Sequence, residues 1–149
     1  MVSSIGQSVS TEIRVRYAEI DGQRVAHHAV YLVWFEAGRA AFLRARGVDY
    51  LALEASGKFM AVVSANVCYR APAHYDDLLT VATSLVALLS RAITFTYRVF
   101  RGAELLATGE TRLVMLDNRG AAIALPAQLR AALSDSSSYK GDANVSPLA

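Results

Sequence analysis

Apolar and polar residues alternate from Val9 to Tyr17. Ile13, Val15 and Tyr17 face Glu12, Arg14 and Arg16 across the chain, which is the period-two pattern of a half-buried strand. A polar loop, 19–26, follows and holds Asp21 and Gly22. The period then changes. Tyr31, Trp34, Phe35, Gly38, Ala41, Phe42 and Ala45 recur at three- and four-residue spacing within 27–47, a helical stripe, and Gly47 is placed to stop it. Leu32, Val33, Ala37, Ala40 and Leu43 fall on the other faces, interrupted only by Glu36, Arg39, Arg44 and Arg46. A helix apolar around so much of its circumference is expected to be covered on several sides.

A short helical turn is expected near 51–55, and strands up to residue 116. Ala61 to Tyr69, Leu78 to Leu89, Ala92 to Phe100 and Leu105 to Leu116 carry the alternation, and Ser90-Arg91, Arg101-Gly102 and Asp117 to Gly120 supply turn chemistry between or after them. Pro126 opens a short amphipathic helix, AQLRAAL. Tight turns demand antiparallel neighbours. One strand, one long apolar helix and four further strands therefore predict an α+β fold, an antiparallel sheet curled around a central helix. Val62, Val86 and Leu113 are expected on the outer face of that sheet.

The chain has 149 residues, 54% apolar and 19% charged, enough for one domain with a substantial core and too apolar for a disordered protein. The expectation is a single domain over 1–149, with its core at about 9–133 and a polar tail over 134–149 rich in Ser, Asp, Gly and Pro. No uncharged apolar run reaches the length of a membrane helix. The first ten residues lack the basic and apolar regions of a signal peptide. A formal charge of +2 argues against a protein built to bind nucleic acid. Cys68 is the single cysteine, which excludes an internal disulfide or a Cys-rich zinc site and points to a reducing, cytoplasmic setting. In a strand pattern with no basic neighbour, it is expected to be a packing residue.

Titratable residues gather near the start of the helix. Asp21 precedes a helix whose first turn presents free backbone N–H groups, and such a turn can hold an oxyanion. A carboxylate beside an oxyanion hole suits ester or thioester hydrolysis, as base or nucleophile; an ordinary loop aspartate is the bland alternative. His27 and His28 are adjacent, and neighbours on a helix diverge by ~100°, so they are not expected to share a metal ion. His74 is distant in sequence, and no ligand spacing for a metal is present. Glu36 has Arg39 at i+3, so a helix salt bridge is its default role.

The stretch 15–50, VRYAEIDGQRVAHHAVYLVWFEAGRAAFLRARGVDY, resembles the 4-hydroxybenzoyl-CoA thioesterase-like branch of the hotdog-fold acyl-CoA thioesterases. Arg16, Tyr17, Glu19, Asp21, Val25, His28, Tyr31, Trp34, Phe35 and Glu36 match its pattern, and weaker likeness continues to about residue 133. The resemblance implies a sheet wrapped on a helix, dimers formed through sheet edges and often tetramers. It implies hydrolysis of an acyl-CoA thioester to acid and CoA with no metal or other cofactor. A carrier-protein thioesterase and a non-catalytic acyl-thioester-binding protein are the alternatives. Asp21 takes the catalytic carboxylate's place and the His28 backbone N–H that of the oxyanion donor. Tyr31 lies in the substrate site, Ser64 reaches it from a partner subunit, and Arg91 is a candidate for the CoA phosphates. Two positions depart from the pattern: Arg24 stands where a glycine is usual, and Val30 where an asparagine is usual.

Overall fold

The computed structural model describes residues 6–134. Apart from Ser134, which closes the last helix, the expected polar tail lies outside the described residues. Strand β1 (Val9–Arg14) is followed by the long helix α1 (Val30–Ala45) and the short α2 (Tyr50–Ala55). Four strands come next, β2 (Phe59–Tyr69), β3 (Leu78–Leu88), β4 (Ala92–Arg101) and β5 (Glu104–Leu116), and then α3 (Ala127–Ser134). Each predicted element is present, with ends shifted by a residue or two except at β1. That strand stops early because the chain turns at Val15, whose N–H donates to the Asp77 carbonyl (2.9 Å) and whose carbonyl accepts from Asp76 N–H (3.0 Å). A 3-10 turn then takes Tyr17–Glu19, leaving Tyr17 79% exposed rather than facing the core.

All strand pairs are antiparallel, in the order β1-β3-β4-β5-β2. β3, β4 and β5 form a meander through tight turns, as their turn residues predict. β2 does not join it at its own place in the sequence. It crosses to the far side and pairs with β5, from Phe59 opposite Leu116 to Tyr69 opposite Ala107. β1 and β2 are thus the two edges of an open sheet that curls around α1.

The stripe on α1 is what holds helix and sheet together. Tyr31, Trp34, Phe35, Gly38, Phe42 and Leu43 are buried. The Phe35 ring stacks on Tyr97 (4.2 Å between centroids, 7° between planes), and Phe42 meets Phe95 edge to face at 5.4 Å. Each such ring contributes up to about 3 kcal/mol by leaving water. Two small residues permit the close approach. Gly38 faces Thr83 on β3, and Gly109 on β5 lies under the Phe35 ring; a methyl group at either would collide with them.

Four expectations about this packing change. Arg39 makes no ion pair with Glu36; its Nη1 donates to the Tyr97 hydroxyl (3.1 Å) and Thr111 Oγ1 (3.4 Å), which are themselves bonded at 2.6 Å. Two buried hydroxyls on the sheet floor need a further partner, and Glu36, in water, does not. Burial pushes the Tyr97 hydroxyl up in pKa, against the pull of Arg39 and Thr111. The cover over α1 is also incomplete in one chain, since Leu32 and Val33 remain exposed, Val33 by 57%. The outer-face assignment fails: Leu113 points inward at 4%, Val62 lies directly opposite it on that same face, at the edge and 48% exposed, and Val86 is half-buried. A bulge between Val62 and Ser64 shifts the alternation of β2 against β5. Cys68 lies exposed on β2 rather than packed, because that strand is an edge.

Candidate active site

Asp21 sits at the head of a tight loop locked onto its own carboxylate. Its Oδ1 accepts from Gln23 N–H (2.8 Å) and Val25 N–H (3.4 Å), its N–H donates to the Val25 carbonyl (2.9 Å), and its carbonyl accepts from Arg24 N–H (3.0 Å). Oδ2 makes no hydrogen bond or ion pair among the described residues. An Ile20–Ala26 bridge closes the loop, and Ala26 N–H donates to the Ala73 carbonyl at 2.8 Å. Arg24 occupies the left-handed region, φ +64°, at the place where the resemblance has glycine. The loop therefore keeps a glycine-like path and strains an arginine to do so. Arg24→Gly is expected to raise stability by about 0.5–1 kcal/mol, since relief of the left-handed penalty exceeds the entropy glycine adds to the unfolded chain. Thermal unfolding at a fixed protein concentration measures it, and a lower Tm would contradict this account of the loop.

The helix start lies just beyond. The pair His27-His28 precedes α1 rather than forming its first turn, so the ~100° divergence does not apply and the rings stack at 4.2 Å. His27 Nδ1 accepts from Ala29 N–H (3.1 Å), which fixes the ring's remaining proton on Nε2, and the His27 carbonyl accepts from Val30 N–H (3.0 Å). The His28 N–H has no acceptor among the described residues. Its carbonyl accepts from the Tyr69 hydroxyl at 2.6 Å, so the end of β2 pins the residue that presents this N–H. Glu19 anchors the other side. It is buried, its Oε2 accepts from Trp34 Nε1 (3.1 Å), its Oε1 accepts from Arg16 N–H (2.8 Å), and its carbonyl accepts from His27 N–H (2.8 Å).

These groups open onto one cleft of about 620 Å³, where Asp21, His28 and Tyr31 meet Tyr69, Arg70 and Pro72. The Tyr31 ring meets Tyr69 edge to face at 5.0 Å. Burial pushes both tyrosine hydroxyls up in pKa, with the Ala73 backbone opposing it at Tyr31, so both stay protonated donors near neutral pH. Arg101 braces the segment behind the cleft: its Nη1 donates to the Pro72 carbonyl (3.1 Å) and Asp77 Oδ2 (2.8 Å). Burial works against ionisation of Asp77, but His74 N–H and Arg101 outweigh it and hold the carboxyl below its ordinary value.

Two predicted site residues are not in this cleft. Ser64 is exposed in the middle of β2, opposite Arg112 and about 16 Å along the strand from Tyr69. Arg91 lies at the other end of the sheet, its carbonyl bonded to Met115 N–H at 3.0 Å. Conversely, Tyr69 and Arg70 were not singled out from sequence. The signal for them is the break from strand pattern at Tyr69-Arg70-Ala71-Pro72, where a strand end meets a proline. No group of three or more His, Cys, Asp or Glu residues able to hold a metal ion lies among the described residues.

A pinned carboxylate with one free oxygen, set across a cleft from an unclaimed backbone N–H, is equipped for acyl transfer to water. The family model of the thioesterase-like superfamily matches residues 15–133. The chain belongs to that superfamily. Among its thioesterase-like relatives, the acyl-CoA thioester hydrolase YbgC of Escherichia coli O6:H1 is 31% identical over 106 residues, covering 70% of this chain and 79% of that one. The crystal structure of protein TT1821 from Thermus thermophilus superposes with a TM-score of 0.81 at 43% identity, over 84% of this chain and 96% of that one. That of a DHNA-CoA thioesterase from Staphylococcus aureus gives 0.78 at 30% identity, over 79% and 80%. The thioesterase-like fold and the open antiparallel sheet described above are the same architecture, the hotdog fold.

Proposed function

We propose that this chain hydrolyses acyl-CoA thioesters to the free acid and CoA. The observation that carries the reading is the convergence, in one cleft, of the unpartnered Asp21 Oδ2 and the unpartnered His28 N–H. A thioester carbonyl lying on that N–H is polarised, and its developing oxyanion meets a donor already in place. Asp21 then either takes the proton of a water that attacks the carbonyl, or attacks the carbonyl itself to give a mixed anhydride that water then hydrolyses; both routes expel the CoA thiolate and both use the free Oδ2. Tyr31 and Tyr69 wall the site. The relatives named for acyl-CoA hydrolysis agree with this reading. The test is a panel of acyl-CoA thioesters with detection of the released thiol. Acyl-CoA that binds without releasing thiol would leave an acyl-thioester-binding protein, and turnover confined to carrier-protein thioesters would change the substrate class.

We further infer that the working form is a homo-oligomer in which β2 edges meet. β2 is an unpaired edge with Val62 and Val63 exposed, and α1 leaves Leu32 and Val33 in water. Ser64 lies on that edge and Arg91 far from the chain's own cleft, so both are proposed to serve a partner's site, Ser64 beside the acyl group and Arg91 toward the CoA phosphates. Light scattering at micromolar concentration is expected to give at least twice the chain mass of 16.1 kDa. A monomer mass would sink the shared site. No described helix is long and apolar enough to cross a membrane, and the lone Cys68 supports placing the enzyme in the cytoplasm.

A further inference from the structure

One wall of the cleft is the start of a loop, 70–77, that joins β2 to β3. Arg70 and Ala71 N–H both donate to the Leu106 carbonyl (2.8 and 3.1 Å), and the bonds to β5 end there. Pro72 has no N–H to give. Among the described residues its carbonyl accepts only from Arg101 Nη1, at 3.1 Å. The next residue, Ala73, is fully buried, and its carbonyl takes the Ala26 N–H at 2.8 Å. The bonds of Asp21 Oδ1 to Gln23 and Val25 N–H give the Asp21 loop its shape. The bond from Ala26 to Ala73 is what ties that loop to the opposite wall.

The same guanidinium holds the far end of the loop. Asp77 Oδ2 accepts from Arg101 Nη1 (2.8 Å) and from His74 N–H (2.8 Å). One nitrogen at the end of β4 therefore spans 72–77, while Nη2 turns outward to the exposed Glu104 on β5 (2.7 Å). Arg101 itself does not line the cleft.

We propose that Arg101 is a positioning residue for hydrolysis. By holding the Pro72 carbonyl it sets Ala73, and through Ala26 it sets where Asp21 Oδ2 stands against the thioester carbonyl. The proposal rests on the thioesterase reading and deepens it. A reacting group displaced by about 1 Å loses up to about a hundredfold in rate, so a loosened wall costs turnover before it costs binding. Tyr31, Tyr69 and the His28 N–H stay in place without Arg101, since none of them is bonded to it.

The experiment measures kcat and KM on the full chain, with the best acyl-CoA of the panel above. Arg101→Gln is compared with Glu104→Gln, which keeps an acceptor for Nη2 and leaves the Nη1 bonds alone. Arg101→Gln is also made in the Asp21→Asn background. The expected result is a fall in kcat of about tenfold in Arg101→Gln with KM within about twofold, and both constants within about twofold in Glu104→Gln. In the Asp21→Asn background Arg101→Gln should cost less than about twofold, because its effect passes through the carboxylate. Unchanged kcat, a loss mainly in KM, an equal loss in Glu104→Gln, or the full tenfold loss beside Asp21→Asn would each overturn the proposal.

Amide hydrogen exchange of 20–26, read without substrate, tests the tie itself. Exchange about tenfold faster in Arg101→Gln and unchanged in Glu104→Gln supports it; equal exchange in Arg101→Gln and wild type, or equal quickening in both variants, overturns it. If no acyl-CoA is turned over, the thioesterase reading fails and exchange alone decides whether Arg101 holds the loop. If Arg101→Gln does not reach the wild-type oligomeric mass, Arg101→Lys, whose ammonium stops short of the Nη1 position, replaces it under the same limits.

Discussion

Asp21→Asn is expected to lower kcat by a hundredfold or more, about 2.7 kcal/mol of transition-state stabilisation, with KM nearly unchanged. The asparagine carbonyl oxygen still accepts from Gln23 and Val25 N–H, so the loop keeps its shape, and what is lost is the charge on the free oxygen. His28→Ala is the control. It retains the backbone N–H and the carbonyl that Tyr69 holds, and removes only the imidazole stacked on His27. Its cost should be at most about tenfold. Both variants need to show the wild-type oligomeric mass, so that misfolding is not read as lost chemistry. Near-normal turnover of Asp21→Asn beside a dead His28→Ala would reverse the roles and put a histidine at the centre of the mechanism.

The largest expected effect on stability comes from one methyl group far from the chemistry. Gly109→Ala places a Cβ against the Phe35 ring and 2.8 Å from the Asn66 carbonyl oxygen. Neither neighbour yields cheaply. Phe35 is held flat on Tyr97, and Asn66 is backbone of the paired strand β2, where Val67 lies opposite Gly109. Overpacking of this kind costs about 3 kcal/mol. For a chain of this size that is a fall in Tm of about 6–12 °C. Phe35→Leu removes the ring, so the cost of Gly109→Ala should shrink in that background. A double-mutant cycle read by thermal unfolding shows it, and additive effects would disprove the contact.

Much of this was legible in the chain because it is periodic. The change from period two before Tyr17 to the helical stripe after Tyr31 located β1 and α1, and the turn residues after β3 and β4 gave the meander. The Asp21 loop was legible because the determinants of its shape are local, the carboxylate and backbone groups within a few residues. Even the departure at Arg24 was readable as a departure, although its positive φ had to be seen. What escaped depends on contacts between residues distant in sequence. Arg39 has Glu36 within reach on its own helix, and nothing nearby in the chain says that Tyr97 and Thr111 lie beneath it. Tyr69 is bonded to His28 from the end of another strand. The inward turn of Leu113 depends on how β2 and β5 register, which alternation within one strand does not report. Ser64 and Arg91 were placed by resemblance, and one chain alone does not bring them to its own cleft.

The crossing of β2 to the far edge has a consequence for synthesis on the ribosome. Tyr69, which pins His28, is fixed in place by pairing with β5 at Ala107, and the other end of β2 waits for Leu116. The loop, the helix and β2 itself all emerge before their wall can close. A nascent chain halted after β4 therefore carries Asp21 and His28 without the cleft that unites them. It also exposes an apolar β2 that will bind whatever strand edge it meets first, including that of a neighbouring nascent copy.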